Sequence, residues 1–427
     1  MDRRALLTGA GAVGASLLAG SGSASASPSG TPGLPRAGLA RLREAMAARI
    51  AGGELVGIVY AVARGAAVHV ETLGRLSLDG DEPMRRGTPF RLASLTKPII
   101  GAATMLLVEE GRLALDEPVD RLLPELAGRR VLARIDGPLD ETVPATRPIT
   151  VEDLLTFRMG YGMIFEPTFE PENYPIIKAA NDLRLVMSVP YPPTPHGPDE
   201  WIRLFGTLPL MHQPGERWQY NAAARVLSVL IARASGQSLP DFLRTRLLRP
   251  LGMRRTGFWL PASDAARLPG MYATNQETQR LEPWPVSPPS EWTRPPAFPD
   301  GAAGLASTID DFLAFAGMLR AGGVHRGRRL LSAESVRLLT TNHLTPEQVA
   351  AAGFFPLVGR GWGYGMAVSV APDEISEPGR YGWEGGFGTA WHNDPNRDLT
   401  AIALTQTVDF YTSGIAAEFQ RLAADTC

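Results

Sequence analysis

Apolar residues recur at helical spacing between Ala37 and Ile50, where Leu39, Leu42, Met46 and Ile50 share one face. Two runs rich in β-formers follow, Leu55 to Ala63 and Ala67 to Leu73, and Arg64-Gly65-Ala66 between them predicts a hairpin. Phe90-Arg91-Leu92-Ala93 then leads into a strongly apolar stretch, Ile99 to Glu110, which reads as a buried helix ended by Gly111. Between about Arg112 and Pro299 strand signals are few, and the pattern predicts helices such as Thr150 to Leu155 and Tyr220 to Ala234 joined by proline-rich loops. Within this part, Glu166 to Pro198 reads as an extended insertion suited to a lid or pocket wall, and Pro283 to Pro299 as a surface loop. Helical spacing returns from Thr308 to Leu319 and from Ser332 to Thr341. β-type runs follow at Trp362 to Val370, Gly388 to His392 and Leu399 to Thr405, and a last helix covers about Ser413 to Ala424. Strands at both ends of the chain around a helical middle predict an α/β fold of the α+β type, with one antiparallel sheet flanked by helices and a mainly helical inserted lobe.

The N-terminus is set apart from this pattern. Arg3-Arg4, an apolar glycine-rich run and Ala24-Ser25-Ala26 read as an export signal over residues 1–26, with paired arginines like those of a twin-arginine signal. Residues 27–35, rich in Pro, Gly and Ser, read as a disordered lead-in. A catalytic domain is expected over 36–427, its α/β lobe made of 36–110 and 300–427 and its helical lobe of 111–299. Gly9-Ala10-Gly11-Ala12-Val13-Gly14 matches a dinucleotide fingerprint in form only, because no strand precedes it and no acidic residue follows about twenty positions on. No later run is apolar over a membrane's thickness, so no membrane span is expected in the mature chain, and an extracellular or periplasmic location follows from the signal.

Composition narrows the chemistry. A net charge of -2 gives no electrostatic reason to expect a nucleic-acid partner, which leaves a small molecule. The only cysteine is the terminal Cys427, and the six histidines show no His-Glu-x-x-His and no close pair, so neither a disulfide nor a metal site is expected. Basic residues number 42, yet only Lys97 and Lys178 are lysines. Arginine stays protonated, whereas a desolvated lysine can lose its proton near neutral pH. Lys97 lies three residues after Ser94, nearly one helical turn, so hydroxyl and amine would project from one face. Pro98 fits only a first turn, which places Ser94 at a helix start, where free backbone N–H groups favour developing negative charge. Gly-x-Ser-x-Gly is missing, which excludes an α/β-hydrolase elbow.

These residues resemble the serine β-lactamase and penicillin-binding fold family in its class C-like esterase branch, over nearly all of Leu39 to Gln420. Phe90 to Glu110 looks like the family's nucleophile helix, and Gly111 to Leu126 and Ile149 to Phe157 like the segments after it. Pro214-Gly215-Glu216-Arg217-Trp218-Gln219-Tyr220 resembles the approach to the second motif, and Gly382-Trp383-Glu384-Gly385-Gly386 the third. The resemblance implies Ser94 as nucleophile, Lys97 as its buried partner and Tyr220 as a phenol sharing proton transfer, with either of the last two open as the acylation base. It implies an oxyanion hole from the backbone N–H groups of Ser94 and Gly386, and substrate contacts from Trp383, Gly385 and Asn221.

Two departures bear on substrate. The second motif usually reads Tyr-x-Asn, but Tyr220-Asn221-Ala222 lacks that amide; the third usually opens on a cation, but Trp383-Glu384-Gly385 offers an indole and an anion. Both point away from β-lactams and D-alanyl peptides, which carry a carboxylate, and toward small neutral esters hydrolysed through an acyl-enzyme without a cofactor. The competing readings are a β-lactamase or D-amino-acid peptidase, and a non-catalytic binding protein on the same scaffold.

Overall fold

The hairpin near the N-terminus becomes β1 (Gly57–Arg64) and β2 (Ala67–Gly74). In this computed structural model, which describes residues 33–165, 170–187, 191–352, 357 and 359–426, five later strands join them. These are β3 (Arg360–Trp362), β4 (Ala367–Ser369), β5 (Tyr381–Gly385), β6 (Thr389–Asp394) and β7 (Leu399–Thr405). The sheet runs β3-β4-β5-β6-β7-β1-β2 with every neighbouring pair antiparallel. Strands from both parts of the chain therefore pair within it, where Ile58 of β1 faces Thr405 of β7 and Arg64 faces Leu399.

Side chains alternate across a strand, and both faces of β1 are covered, so its apolar run is almost continuous. Ile58, Tyr60 and Val62 pack with Leu42 and Met46 of α1 (Arg36–Ala51) and with Ile415 and Phe419 of a C-terminal helix, Ile415–Ala424. Val59 and Ala61, with Ile402 and Leu404 of β7, face the main core. There they join Ile99 and Ala103 of α2 (Thr96–Glu109) and Phe312 and Phe315 of the Ile309–Arg320 helix. The helical part adds α3 (Ala222–Ser235), which packs on α2. Every residue of α2 from Thr96 to Leu107 is buried, and a helix apolar on all sides belongs at a domain centre.

Three expectations change. Trp362 to Val370 is not one strand: glycines at 363 and 365 let the chain turn, and β3 folds back on β4. β5 does not read as a β run in the sequence, since two of its five residues, Gly382 and Gly385, are glycines, which lower strand propensity. The described part of the 166–198 insertion holds a helix, Pro175–Asp182, rather than an extended chain; residues 166–169 and 188–190 lie outside the described residues. The expected signal, the 27–32 part of the lead-in and Cys427 also lie outside them, and Leu34 packs against the α1 layer. Among the described residues no helix is long and apolar enough to cross a membrane.

Gly101 sets how closely α2 approaches the sheet edge, because a Cβ there would stand 2.3 Å from the Tyr364 carbonyl oxygen. Gly101→Ala is expected to destabilise the fold by about 1–3 kcal/mol through this overpacking, despite alanine's better helix propensity. A denaturant midpoint equal to or above that of the parent would show that the helix can shift freely.

Candidate active site

Ser94 sits in a single 3₁₀ turn, Ala93–Leu95, that runs directly into α2. Upstream, Phe90-Arg91 pairs with Ala306-Ser307, which fixes the entry to that turn. Ala93 takes φ 46°, a left-handed conformation that costs a non-glycine residue on the order of 1 kcal/mol and is held by its surroundings. One turn on, Lys97 Nζ lies 2.8 Å from Ser94 Oγ and donates to the Ala302 carbonyl at 2.7 Å. Lys97 is 1% exposed. Burial pushes its pKa well below the usual lysine value, Arg225 pushes it further down, and Asp300 opposes them. The result is an amine able to accept a proton from the hydroxyl beside it.

Tyr220 enters from the loop before α3 and brings its ring to 4.4 Å from Lys97 Nζ. Its phenol oxygen accepts from Trp383 Nε1 at 2.8 Å and is also hydrogen-bonded to Ser94. Burial raises the phenol's pKa despite these two bonds, so Tyr220 stays protonated. The Trp383 indole N–H, expected to face a ligand, instead holds the tyrosine, while its ring remains in the cavity wall.

β5 brings the third motif to the same turn. A Cβ on Gly385 would stand 2.4 Å from the Leu92 carbonyl and 2.1 Å from Thr389 Oγ1, so glycine lets the strand abut the residues before Ser94. Thr389 Oγ1 donates to that carbonyl at 2.9 Å and ties the two together. At Gly386 a Cβ would meet nothing within 4 Å, and this residue lines the cavity with Ser94. Asn221 also lines it, but its Nδ2 donates to the Met187 carbonyl at 2.9 Å and so braces the insertion. The cavity holds about 340 Å³, and Met163 and Phe165 form part of its apolar wall. A second cavity of about 420 Å³, walled by residues of the 191–195 and 286–298 segments, adjoins it at Ala303 and Phe387.

Glu384, also in the wall, points neither freely at a ligand nor into solvent. Arg360 Nη1 donates to it at 2.9 Å and His392 Nε2 lies 3.1 Å away. Burial would raise its pKa, but Arg360 and His392 outweigh that and hold the carboxylate ionised. Burial and Arg380 push His392 down to about 4 in spite of Glu384. The geometry thus brings Ser94, Lys97, Tyr220, Trp383 and Gly386 to one cavity and adds Ala302, Arg225, Asp300, Arg360 and His392. A backbone carbonyl has no signature in sequence, and the ion pairs join residues 75 and 24 positions apart.

The family model described as Beta-lactamase matches residues 42–425. The chain belongs to the Beta-lactamase family. Protein Rv1367c of Mycobacterium tuberculosis (strain ATCC 25618 / H37Rv) is 40% identical over 350 residues, 79% of this chain and 82% of its own length. Esterase EstB of Burkholderia gladioli is 32% identical over 374 residues, 83% of this chain and 86% of the relative. Among solved structures, EstCE1, titled a hydrolase with promiscuous acyltransferase activity, superposes with a TM-score of 0.74 at 25% identity, covering 92% of this chain and 98% of its own. The antiparallel sheet flanked by helices is thus the arrangement of this Beta-lactamase family fold.

The His392 environment gives a pH test. An unfolded chain binds a proton at His392 below about 6.5, whereas the folded one does so only near 4. Between these values the folded state holds fewer protons and loses stability as pH falls. Chemical denaturation at pH 7 and pH 4.5 is expected to show a loss of about 1–3 kcal/mol, with a smaller loss in His392→Gln. An equal loss in both proteins would remove His392 from the acid sensitivity.

Proposed function

We propose that this chain is an exported serine esterase that hydrolyses small neutral esters through an acyl-enzyme on Ser94. The observation that carries the reading is the 2.8 Å approach of Lys97 Nζ to Ser94 Oγ, with the amine desolvated and a protonated phenol beside both. Lys97 takes the Ser94 proton as Oγ attacks the ester carbonyl. The N–H groups of Ser94 and Gly386 receive the developing oxyanion, where fixed donors act most strongly. Collapse breaks the bond to the alcohol oxygen, and Tyr220 passes the proton to that leaving alkoxide and is restored from Lys97. Water then attacks the acyl-enzyme through the same groups and releases the acid. Of the two bases left open by sequence, Lys97 is favoured, because burial lowers its pKa and raises that of Tyr220.

Neutral substrates are favoured because Trp383 stands where the family's third motif opens on a cation, and the wall adds Glu384, which Arg360 already engages. Among the described residues that line the cavity none is a lysine or arginine to meet the carboxylate of a β-lactam, and the Asn221 amide is turned to Met187. A second reading, acyl transfer to an alcohol in place of water, is supported by the two adjoining cavities, one for the acyl group and one for a larger acceptor.

A serine-reactive fluorophosphonate is expected to label the protein but not Ser94→Ala, and that variant to lose nitrophenyl butyrate hydrolysis by about 10³-fold or more. Faster turnover of a chromogenic cephalosporin than of the butyrate ester would favour the β-lactamase reading. Labelling that persists in Ser94→Ala would remove Ser94 from the chemistry.

A further inference from the structure

Lys97 is gripped by a carbonyl that could point elsewhere, since Ala302 lies in a turn and belongs to no helix or strand. α3 holds that turn through Arg225 and Ser228. Arg225 donates through Nε and Nη2 to Asp300 Oδ2 at 3.2 and 2.9 Å. Asp300 Oδ1 in turn accepts the Ala302 backbone N–H at 2.7 Å. Between them the Gly301 N–H donates to Ser228 Oγ at 2.9 Å, and a Cβ on Gly301 would stand 2.4 Å from that oxygen. The turn therefore lies flat on α3.

We propose that Arg225, paired with Asp300, is a positioning residue of the Ser94 site that aims the Ala302 carbonyl at Lys97 Nζ and supplies a fixed positive charge that acts on that amine. The proposal rests on the reading of Lys97 as base and adds the device that keeps it one. The groups facing Lys97 are Ser94 on its own turn, the Tyr220 ring, Arg225 from α3 and Asp300 from the turn. Arg225 is 1% exposed, so its charge acts on Lys97 with little screening by water. The pair has a built-in sign. The cation favours the neutral amine and the anion favours the ammonium. Removing one member then moves Lys97 in the direction that its loss dictates, and removing the other moves it the opposite way.

The chain's own composition supplies a readout that does not depend on catalysis. Only two lysines are present, and Lys178 is exposed on a separate helix beside Asp182. Selective ¹³C labelling of lysine gives two Cε resonances, and the Lys97 titration can be followed by NMR with Lys178 as internal reference. In Arg225→Met the Lys97 midpoint is expected to rise by about one unit, in Asp300→Asn to fall, and in Arg225→Lys, whose added lysine gives a third Cε resonance recognised by its absence from the parent, to stay near that of the parent. The acid limb of kcat/KM for nitrophenyl butyrate is expected to move with the NMR midpoint. Should Arg225→Met fail to fold, Asp300→Asn and Arg225→Lys still decide. An Asp300→Asn midpoint that is unmoved or raised overturns the proposal, as does lowered activity in all three variants with an unchanged Lys97 titration, which is what structural support alone would give. A parent protein with the depressed Lys97 midpoint but no turnover would count against the esterase reading and leave the positioning role standing.

Discussion

The removal of one amine from water is the constraint around which this molecule is arranged. A lysine ammonium in the interior carries a desolvation penalty of several kcal/mol even after relaxation, so the group either finds a counter-ion or gives up its proton. Among the described residues no carboxylate forms an ion pair with Lys97; its contacts include a serine hydroxyl, a backbone carbonyl and the face of a phenol ring. These can satisfy a neutral amine. That outcome needs a helix buried on all sides, a strand edge that comes close enough to exclude water, and a turn whose carbonyl is fixed. α2, β5 with Gly385, and the 300–302 turn meet those needs in order. The fold thus supplies protonation chemistry mainly through what it keeps out.

Local features of this arrangement were readable before any coordinates. Two lysines among 42 basic residues drew attention to Ser94 and Lys97, and Pro98 placed them at the start of a helix. Runs with clean periodicity, such as the β1–β2 hairpin and the terminal helices, also emerged nearly where expected. What stayed hidden depended on contacts distant in sequence or on residues whose propensity contradicts their place. β5 is central in function yet glycine-containing, because close approach matters there more than strand propensity. The Trp383 ring lies in the cavity wall, but its N–H partner, Tyr220, lies 163 positions away. No local pattern could have announced that bond.

The third motif shows how an anion can be held in the interior without leaving it unstable. Beside Trp383, Glu384 introduces a buried anion, and alone it would be expelled or protonated. Arg360 reaches it from the edge strand β3, and His392 of β6 closes the other side in its neutral form. The carboxylate is ionised but compensated, so it repels a second anion at short range while exerting little net field on a neutral guest. Arg360 also lies 5.5 Å from the Trp383 ring, the ring that holds Tyr220 in place.

This coupling bears on how selectivity could have changed without loss of the chemistry. Tyr220, Trp383, Arg360 and Glu384 form one connected series, running from the phenol beside Ser94 to the carboxylate in the cavity wall. A cation at position 383, which opens the motif, would remove the indole that holds Tyr220 and stand beside Arg360, so like charges would meet at a buried contact. Opening the motif on a cation therefore requires changing position 360 together with position 383. Two substitutions that are each unfavourable alone are coupled through a shared buried contact, and that coupling, more than the identity of any single side chain, opposes a cation at this wall.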